Sequence, residues 1–255
     1  YHTPVLVKEV MAALDVKPGG KYIDTTLGGS GHTQEILKNG GKVLAIDRDD
    51  EAINYVRGKL KRWIKNGKLK LEKANFDRLA EIAEKNGWQN VDGILFDLGI
   101  SSHQIDTPQR GFSFQSSGPL DMRMDPALSV TAADLINVLS EKELKNLFFK
   151  FGGEKKAGLI SRIIVKARKR KKIETTAELA EAIGRVIKKG GHLHPATKVF
   201  MALRIAVNDE LNSLSRALSQ AEELLKPSGR LLVISFHDGE DRIVKKFIHS
   251  SLLLE

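Results

Sequence analysis

The sequence contains no cysteine among its 255 residues. This absence excludes disulfides, thiolate-ligated zinc sites and cysteine nucleophiles. No apolar run approaches the roughly 18 residues that a membrane span needs, and no signal-peptide pattern opens the chain. We therefore expect a cytoplasmic protein, since a reducing compartment is compatible with such a sequence. Position 1 is Tyr rather than Met, from which we expect the natural N-terminus to lie upstream.

The charges that are present have an excess of one sign. The chain carries 41 Lys and Arg against 32 Asp and Glu, a formal net charge of +9. An excess of cations favours a polyanionic partner, because neutralised phosphates release their counterions. Six cations form one dense run, namely Lys166, Arg168, Lys169, Arg170, Lys171 and Lys172. Lys169 and Arg170 are candidates for phosphate contacts, although a solvated helix end would give the same pattern.

The first 107 residues alternate short apolar runs with amphipathic stretches. This alternation predicts right-handed crossovers and a Rossmann-like, mostly parallel sheet. The predicted strands are Lys21–Asp24, Lys42–Asp47, Leu69–Lys73 and Val91–Asp97. Ligands bind such sheets at the carboxyl ends of the strands, and three of the predicted strands end there in an aspartate.

The middle of the chain has another pattern. Residues 106–127 are irregular, and the helices that follow have no strands between them. Capping boxes are expected at Ser140 with Glu143 and at Thr175 with Glu178. We expect an all-helical insert over 108–196, serving RNA recognition, within a discontinuous main domain of 1–107 and 197–255. One long helix over 196–225 and a fifth strand over 230–236 are expected to complete that domain.

A glycine-rich turn follows the first strand and indicates nucleotide or cofactor binding. Gly28, Ser30 and Gly31 lie in this turn, where the backbone can approach a ligand closely. Asp47, at the end of the next strand, suits a ribose diol. Asp24 would repel a pyrophosphate but attract an ammonium or sulfonium cation. The residues therefore favour S-adenosylmethionine over a dinucleotide, while a structural turn with capping acids remains the alternative.

Two further residues are candidates for the same ligand. His32 lies in the glycine-rich segment and could donate a hydrogen bond to the cofactor. Phe76 follows the third strand, where an aromatic ring could stack on adenine or simply belong to the core. We expect no metal site, since His32, His192 and His194 do not form a convergent ligand set.

The fourth strand ends at Asp97, which is the candidate for the acceptor side of the reaction. Its carboxylate could accept a hydrogen bond from an exocyclic amine, with Ser101 and Ser102 positioning a base edge. The sequence does not distinguish a base from a mere acceptor at this position. The alternative is a strand-end turn with a helix cap.

A loop that alternates cations and aromatics follows Asp97 in the chain. Arg110, Phe112 and Phe114, followed by Arg123, could bind phosphate and stack on an unpaired base. A small satellite core is the alternative interpretation of the same pattern. Because the loop adjoins the proposed site in sequence, we favour substrate binding.

These motifs resemble the RsmH (MraW) family of bacterial 16S ribosomal RNA cytosine-N4 methyltransferases. The matching segments are residues 2–6 (HTPVL), 22–28 (YIDTTLG) with Gly31 and His32, 45–49 (AIDRD), 92–102 (DGILFDLGISS), 110–114 (RGFSF), 118–125 (GPLDMRMD), 194–197 (HPAT), and 234–237 (ISFH) with 240–245 (EDRIVK). They span nearly the whole chain in family order. The resemblance departs at Asp238 and Gly239, where the family has Ser-Leu, at Ser30, where glycine is common, and in lacking a C-terminal Asn-Pro-Arg-Ala-Arg stretch.

The resemblance implies a class I S-adenosylmethionine-dependent methyltransferase fold with a helical insert. It implies methylation of a cytosine N4 in the decoding region of 16S rRNA within the small ribosomal subunit, and we allow for a homodimer. The implied cofactor contacts are Ser30, Gly31, His32, Asp47, Phe76, Asp97 and Gln104.

Two other classes of function are weighed against this one. A nicotinamide-dependent oxidoreductase would share the sheet, but the third glycine of its motif is absent and Asp24 opposes it. A non-catalytic RNA-binding or assembly factor would keep the fold, but it would not need the aspartates at the strand ends.

Overall fold

A computed structural model of the chain describes residues 4–185 and 194–251. The chain divides into two compact units, one comprising Tyr1–Ser101 with Leu211–Glu255 and the other Ser102–Glu210. The second unit is wider on both sides than the predicted insert of 108–196, because a short helix before it and a longer helix after it belong to the same compact body.

Thirteen helices and five strands make up the described part of the chain. In chain order they are α1 (Val7–Leu14), β1 (Lys21–Asp24), α2 (Gly31–Lys38), β2 (Lys42–Asp47), α3 (Asp50–Lys59), α4 (Lys61–Lys65), β3 (Leu69–Lys73), α5 (Leu79–Asn86), β4 (Val91–Asp97), α6 (Ser102–Asp106), α7 (Ala132–Val138), α8 (Glu141–Gly152), α9 (Ala157–Arg168), α10 (Thr176–Gly184), α11 (Thr197–Val207), α12 (Glu210–Leu224), β5 (Leu225–Ile234) and α13 (Asp238–Ser251). Short 3-10 turns cover Phe76–Arg78 and Pro108–Arg110.

The first unit is built on a parallel sheet. Its five described strands have the order β3-β2-β1-β4-β5, and every pairing is parallel. The order reverses direction beside β1, so the carboxyl ends of β1 and β4 flank the switch point at which α/β sheets bind ligands. The four strands predicted from the sequence have the predicted bounds.

Helices cover both faces of this sheet, because alternate strand residues point to opposite sides. Ile23, Ile94 and Phe96 belong to a buried cluster that includes residues of α5 and α12, with α13 packed against it. Tyr22 and Leu95 belong to a second cluster, with residues of α1, α2 and α3. The strands are apolar on both faces, which explains their continuous hydrophobic runs.

The second unit is helical in its described part. Helix α8 packs against α9 and α11, and α9 also contacts α7 and α10. The expected capping boxes are confirmed at Ser140 with Glu143 and at Thr175 with Glu178. Among the residues that the structure describes, no helix is both long and apolar enough to span a membrane.

The expected single helix over 196–225 is wrong, because the chain breaks into α11 and α12 at Asn208 and Asp209. Asp209 has a left-handed φ of 48°. The buried side chain of Asn208 bonds to the backbone of a loop instead: it accepts from Met124 N at 2.8 Å and donates to Met122 O at 2.8 Å. Long-range bonds of this kind override a continuous helical pattern.

The fifth strand also differs from the expected 230–236. It runs over Leu225–Ile234, with an irregularity between the pairings of Val91 and Gly93. Ser228, which lies between Pro227 and Gly229 within this strand, has a left-handed φ of 64°. The strand ends two residues earlier than expected, which leaves Phe236 beyond it.

Candidate active site

Asp24 closes β1 and holds the turn that follows. Its side chain is buried, with one carboxylate oxygen accepting from Thr26 N at 3.1 Å and the other from Thr33 Oγ1 at 2.6 Å. Burial raises the pKa of Asp24, and the hydrogen bond from Thr33 opposes this rise. Both oxygens are thus used within the chain, and they tie the strand end to the first turn of α2.

The glycine-rich turn leads from Asp24 into α2. Ser30 is buried and has a left-handed φ of 68°; it donates to Gly29 O at 2.5 Å and accepts from Gln34 Nε2 at 3.0 Å. At Gly31 a Cβ would lie only 2.3 Å from Cγ of Pro4. The glycine at position 31 is therefore needed for close packing by the chain itself.

Asp47 closes β2 beside this turn. One of its oxygens accepts from Gly28 N at 2.8 Å and the other from Asp49 N at 2.9 Å. Burial raises the pKa of Asp47 to about 6, although these two backbone hydrogen bonds lower it. The carboxyl thus titrates within a pH range in which the protein can be assayed.

Asp97 and His32 come together where β4 ends and α2 begins. His32 Nε2 lies 3.4 Å from Asp97 Oδ2, an ion-pair distance without a hydrogen bond, and the two side chains are 5% and 21% exposed. Both ring nitrogens of His32 and Oδ1 of Asp97 are buried without a hydrogen-bond partner. The backbone N of Asp97 donates to Thr26 Oγ1 at 2.7 Å, which fixes the strand end.

The electrostatics of His32 reflect this environment. Burial alone would lower its pKa, but the neighbouring Asp97 carboxylate and the charge of Asp24 outweigh burial and raise it. Buried polar atoms are almost always hydrogen-bonded in folded proteins. The three atoms without partners at His32 and Asp97 therefore fit a site that binds a polar ligand.

Phe76 lies close to the ends of β2 and β3 but is mostly enclosed. It is 8% exposed, and its ring meets Phe96 edge-on at a centroid distance of 5.6 Å. The guanidinium of Arg48 lies 5.4 Å from the ring centroid. The ring belongs to the core, as the alternative interpretation of the sequence had it, and little of its surface is accessible to a base.

The remaining residues of the predicted cofactor and catalytic set divide between the two units. Ser101 is the last residue of the first stretch of the sheet-containing unit, together with Asp97. Ser102 and Gln104 lie in α6 of the second unit, and Gln104 is buried. Both serines are half-buried.

The predicted substrate loop is folded on itself within the second unit. Arg110 is buried and donates to the carbonyl oxygens of Met124 at 2.9 Å and Arg123 at 3.2 Å. Arg123 forms a two-pronged pair with Asp121, at 2.8 Å for each contact. Phe112 is also buried, with the Arg110 guanidinium 5.9 Å from its ring centroid. Direct contact of Arg110 or Phe112 with a ligand would require this loop to open.

Two other parts of the predicted substrate surface differ from each other in exposure. Phe114 is half-buried between His194 and Phe200, at centroid distances of 4.7 and 4.9 Å. Lys169 and Arg170 are exposed just after α9. These two cations are accessible to phosphates, whereas His192 lies outside the described residues.

Sequence reasoning missed the two threonines that hold the site acids. Thr26 fixes the backbone of Asp97, and Thr33 fixes the carboxylate of Asp24. Both belong to the segment 24–33 that the glycine-rich turn had marked. Their hydroxyls could have been singled out there, since buried carboxylates require donors.

Comparison with known proteins identifies the family. Residues 1–253 match the model of the family described as "MraW methylase family". A protein of Carboxydothermus hydrogenoformans is 47% identical over 96% of this chain and 79% of its own length. Relatives from Thermomicrobium roseum and Beijerinckia indica subsp. indica are 49% and 50% identical, over 96% and 97% of this chain and 76% and 69% of their own lengths. All three are named ribosomal RNA small subunit methyltransferase H.

These matches agree with the resemblance found in the sequence motifs. They confirm a methyltransferase, its class I Rossmann-like fold and S-adenosylmethionine as its cofactor. With a match over residues 1–253 and several relatives near half identity, the chain belongs to the MraW methylase family.

Proposed function

We propose that this protein transfers a methyl group from S-adenosylmethionine to the N4 amino group of a cytosine in the decoding region of 16S rRNA. This chain covers more than two thirds of the length of each of the three relatives. Their shared name supports a small-subunit rRNA substrate. The position of the Asp97 carboxylate is the observation that supports an amino group as the methyl acceptor. This carboxylate lies at the sheet switch point with one buried oxygen lacking any hydrogen-bond partner.

The residues that would hold the cofactor surround the ends of β1 and β2. The carboxylate of Asp47 would accept the ribose hydroxyls, as an acid after the second strand does in related sheets. The ring nitrogens of His32 have no hydrogen-bond partner, so His32 would donate a hydrogen bond to the cofactor. Asp24, Gly28, Ser30 and Gly31 shape the turn after β1. Phe76 and Gln104 are both buried, and they stay candidates for cofactor contacts on the family resemblance alone.

The main contribution of the protein to the reaction is to position the acceptor amine against the methyl group. S-adenosylmethionine supplies an electrophilic methyl group bound to a sulfonium. Transfer of that methyl group to the cytosine amino nitrogen would release S-adenosylhomocysteine, and the amino proton would pass to solvent. Asp97 accepts the hydrogen bond from the amine, which makes its lone pair more available, and Ser101 and Ser102 position the base edge.

The second unit would hold the RNA. Lys169 and Arg170 are exposed and would contact phosphates. The side chains of three predicted substrate residues are engaged inside the loop, so they would stabilise its structure; these are Arg110, Phe112 and Arg123. Phe114 is more accessible than Phe112 and is the better candidate for stacking on a base. We further propose that the protein works in the cytoplasm, where the small subunit is assembled. A homodimer stays a prediction that light scattering can test.

The decisive experiment identifies the labelled nucleoside. Small ribosomal subunits lacking the modification are incubated with the chain and methyl-labelled S-adenosylmethionine, and the digested RNA is analysed by mass spectrometry. N4-methylcytosine at one site is the expected product. Label on another nucleoside would contradict the acceptor assignment, and binding of RNA without any transfer would support a non-catalytic factor.

A matched pair of variants tests the acceptor residue in the same assay. Asp97→Asn keeps the size of the side chain but weakens its acceptor strength, and we expect kcat to fall by about 10²- to 10⁴-fold. Glu84→Gln removes an exposed carboxylate of α5 and should leave kcat unchanged. Equal activity of both variants would remove Asp97 from the mechanism.

A further inference from the structure

The proposed function leaves one segment of the sequence motifs unused, namely residues 234–237 at the end of β5. Phe236 lies there, two residues beyond the strand. Its side chain is 55% exposed, whereas Phe96 of the same sheet is fully buried. Phe149 of α8 is more exposed still, at 65%, and single exposed apolar side chains are common. What distinguishes Phe236 is therefore its position rather than its exposure alone.

The ring lies at the same edge of the sheet as Asp97. Ile234 is the register partner of Asp97, and Leu98 N donates to Ile234 O at 3.0 Å. A Cβ at Gly99 would lie 3.4 Å from Cδ2 of Phe236 and 3.8 Å from Cγ and Cε2. One edge of the ring therefore faces Gly99, two residues after Asp97, and the φ of +98° at this residue itself favours glycine.

The backbone that carries the ring is held firmly. Phe236 N donates to Glu240 Oε2 at 2.8 Å, and Glu240 is 2% exposed. His237 Nδ1 accepts from Gly239 N at 3.1 Å, which caps the start of α13. An exposed aromatic ring on a backbone that is hydrogen-bonded to a buried carboxylate is preorganised to bind a flat partner.

We propose that Phe236 is the surface on which the target nucleobase stacks beside Asp97. The inference rests on the proposed function, because it names the contact that would bring the acceptor base to the carboxylate. A base that undergoes chemistry must leave its helical stack, and an aromatic ring replaces the lost stacking. Stacking is tolerant of base identity, so Phe236 supplies affinity while Asp97 reads the amine.

Three variants test the ring in the methylation assay with unmodified small subunits. Phe236→Leu keeps an apolar side chain without an aromatic face, and we expect kcat/KM to fall about tenfold or more. Phe236→Tyr keeps the ring and should stay within about twofold of the wild type. Tyr55→Leu removes an exposed ring of α3 and should have no effect. Cofactor affinity should be unchanged in all three.

A direct readout separates stacking from a structural role. With Phe236→Trp, addition of the unmodified RNA should quench the new tryptophan fluorescence, since an indole stacked on a base is quenched. Tyr55→Trp, in the same unit, should show no such quenching. This measurement also decides the matter if Phe236→Leu proves unstable.

The outcomes distinguish the inference from the function on which it rests. N4-methylcytosine formed equally by wild type and Phe236→Leu would overturn the stacking site alone. Loss of activity in Phe236→Leu with a lowered melting temperature, and no quenching in Phe236→Trp, would mean that the ring packs against protein and would also overturn it. A different labelled nucleoside from the wild type would contradict the proposed acceptor.

Discussion

Replacing Asp47 by asparagine should separate cofactor binding from stability. The carboxylate is proposed to accept two ribose hydroxyls, and charge-assisted hydrogen bonds of this kind contribute about 1.5–3 kcal/mol. Asp47→Asn should therefore raise the Kd for S-adenosylmethionine by about 10- to 150-fold at pH 7.5. The unliganded variant should be more stable than the wild type at that pH.

The expected gain in stability follows from the direction of the pKa shift. Burial raises the pKa of Asp47 to about 6, above its ordinary value of 3.8. A carboxyl with a raised folded-state pKa contributes stability at low pH and loses it as the pH rises through about 6. Ionised Asp47 is thus a local destabilisation above pH 6, of about 1–2 kcal/mol after allowance for its partial exposure. An uncharged amide removes that penalty, although it replaces one of the two acceptor oxygens.

The same pKa gives binding a pH dependence that the variant should lack. If only ionised Asp47 binds the ribose, the wild-type Kd should rise about tenfold between pH 7.5 and pH 5.0. Titration calorimetry over this range gives the Kd of the wild type and of Asp47→Asn. The ratio of the two Kd values cancels the effects of protons that the cofactor and His32 lose or gain. The affinity advantage of the wild type should shrink about tenfold towards pH 5. A ratio that stays constant with pH would refute the reasoning.

The other predictions concern the RNA surface and two buried hydrogen-bonding groups. Changing both Lys169 and Arg170 to glutamine should reduce the slope of log K against log salt concentration for RNA binding by about 1.5 in a filter-binding titration. The control Lys145→Gln changes an exposed residue of α8 and should leave this slope unaltered. Asn208→Leu should destabilise the fold by about 2–4 kcal/mol in urea denaturation, since buried backbone groups lose their partner; a loss below about 0.5 kcal/mol would mean that the loop relaxes. Thr33→Val should lower stability by about 1–3 kcal/mol, because a buried carboxylate loses its hydroxyl donor, and an unchanged urea midpoint would contradict that account.

The strands and their ends could be predicted from the sequence, because their pattern is local. Apolar runs ending in Asp24, Asp47 and Asp97 define both the register and the rim on which ligands bind. The capping boxes of α8 and α10 were predictable for the same reason, since each is contained in four consecutive residues. Local sequence patterns therefore suffice to locate the part of the site that consists of strand ends and the turn after β1.

Features that depend on distant contacts could not be predicted in this way. The pattern of residues 196–225 is helical throughout, and only the bonds of Asn208 to Met122 and Met124 explain the break. Arg110 looked like a phosphate ligand because it alternates with aromatics, yet the carbonyls that it binds are more than ten residues away in sequence. In both cases a polar side chain satisfies the backbone of a loop whose course the sequence does not reveal.

The three rim aspartates show how one residue type acquires different tasks from its surroundings. Asp24 is 1% exposed and each of its oxygens accepts a hydrogen bond within the chain, so it holds the turn. Asp47 accepts two backbone hydrogen bonds but retains lone pairs and a pKa near the working range, which suits a hydroxyl-bearing ligand. Asp97 alone among them keeps a buried oxygen without a hydrogen-bond partner. An unsatisfied acceptor at a ligand-binding edge is unfavourable in the free protein, and it becomes satisfied when an amine donates to it. Its incomplete hydrogen bonding is the observation that supports our proposal of Asp97 as the acid that contacts the acceptor amine, and the proposed stacking surface for the base is the ring of Phe236.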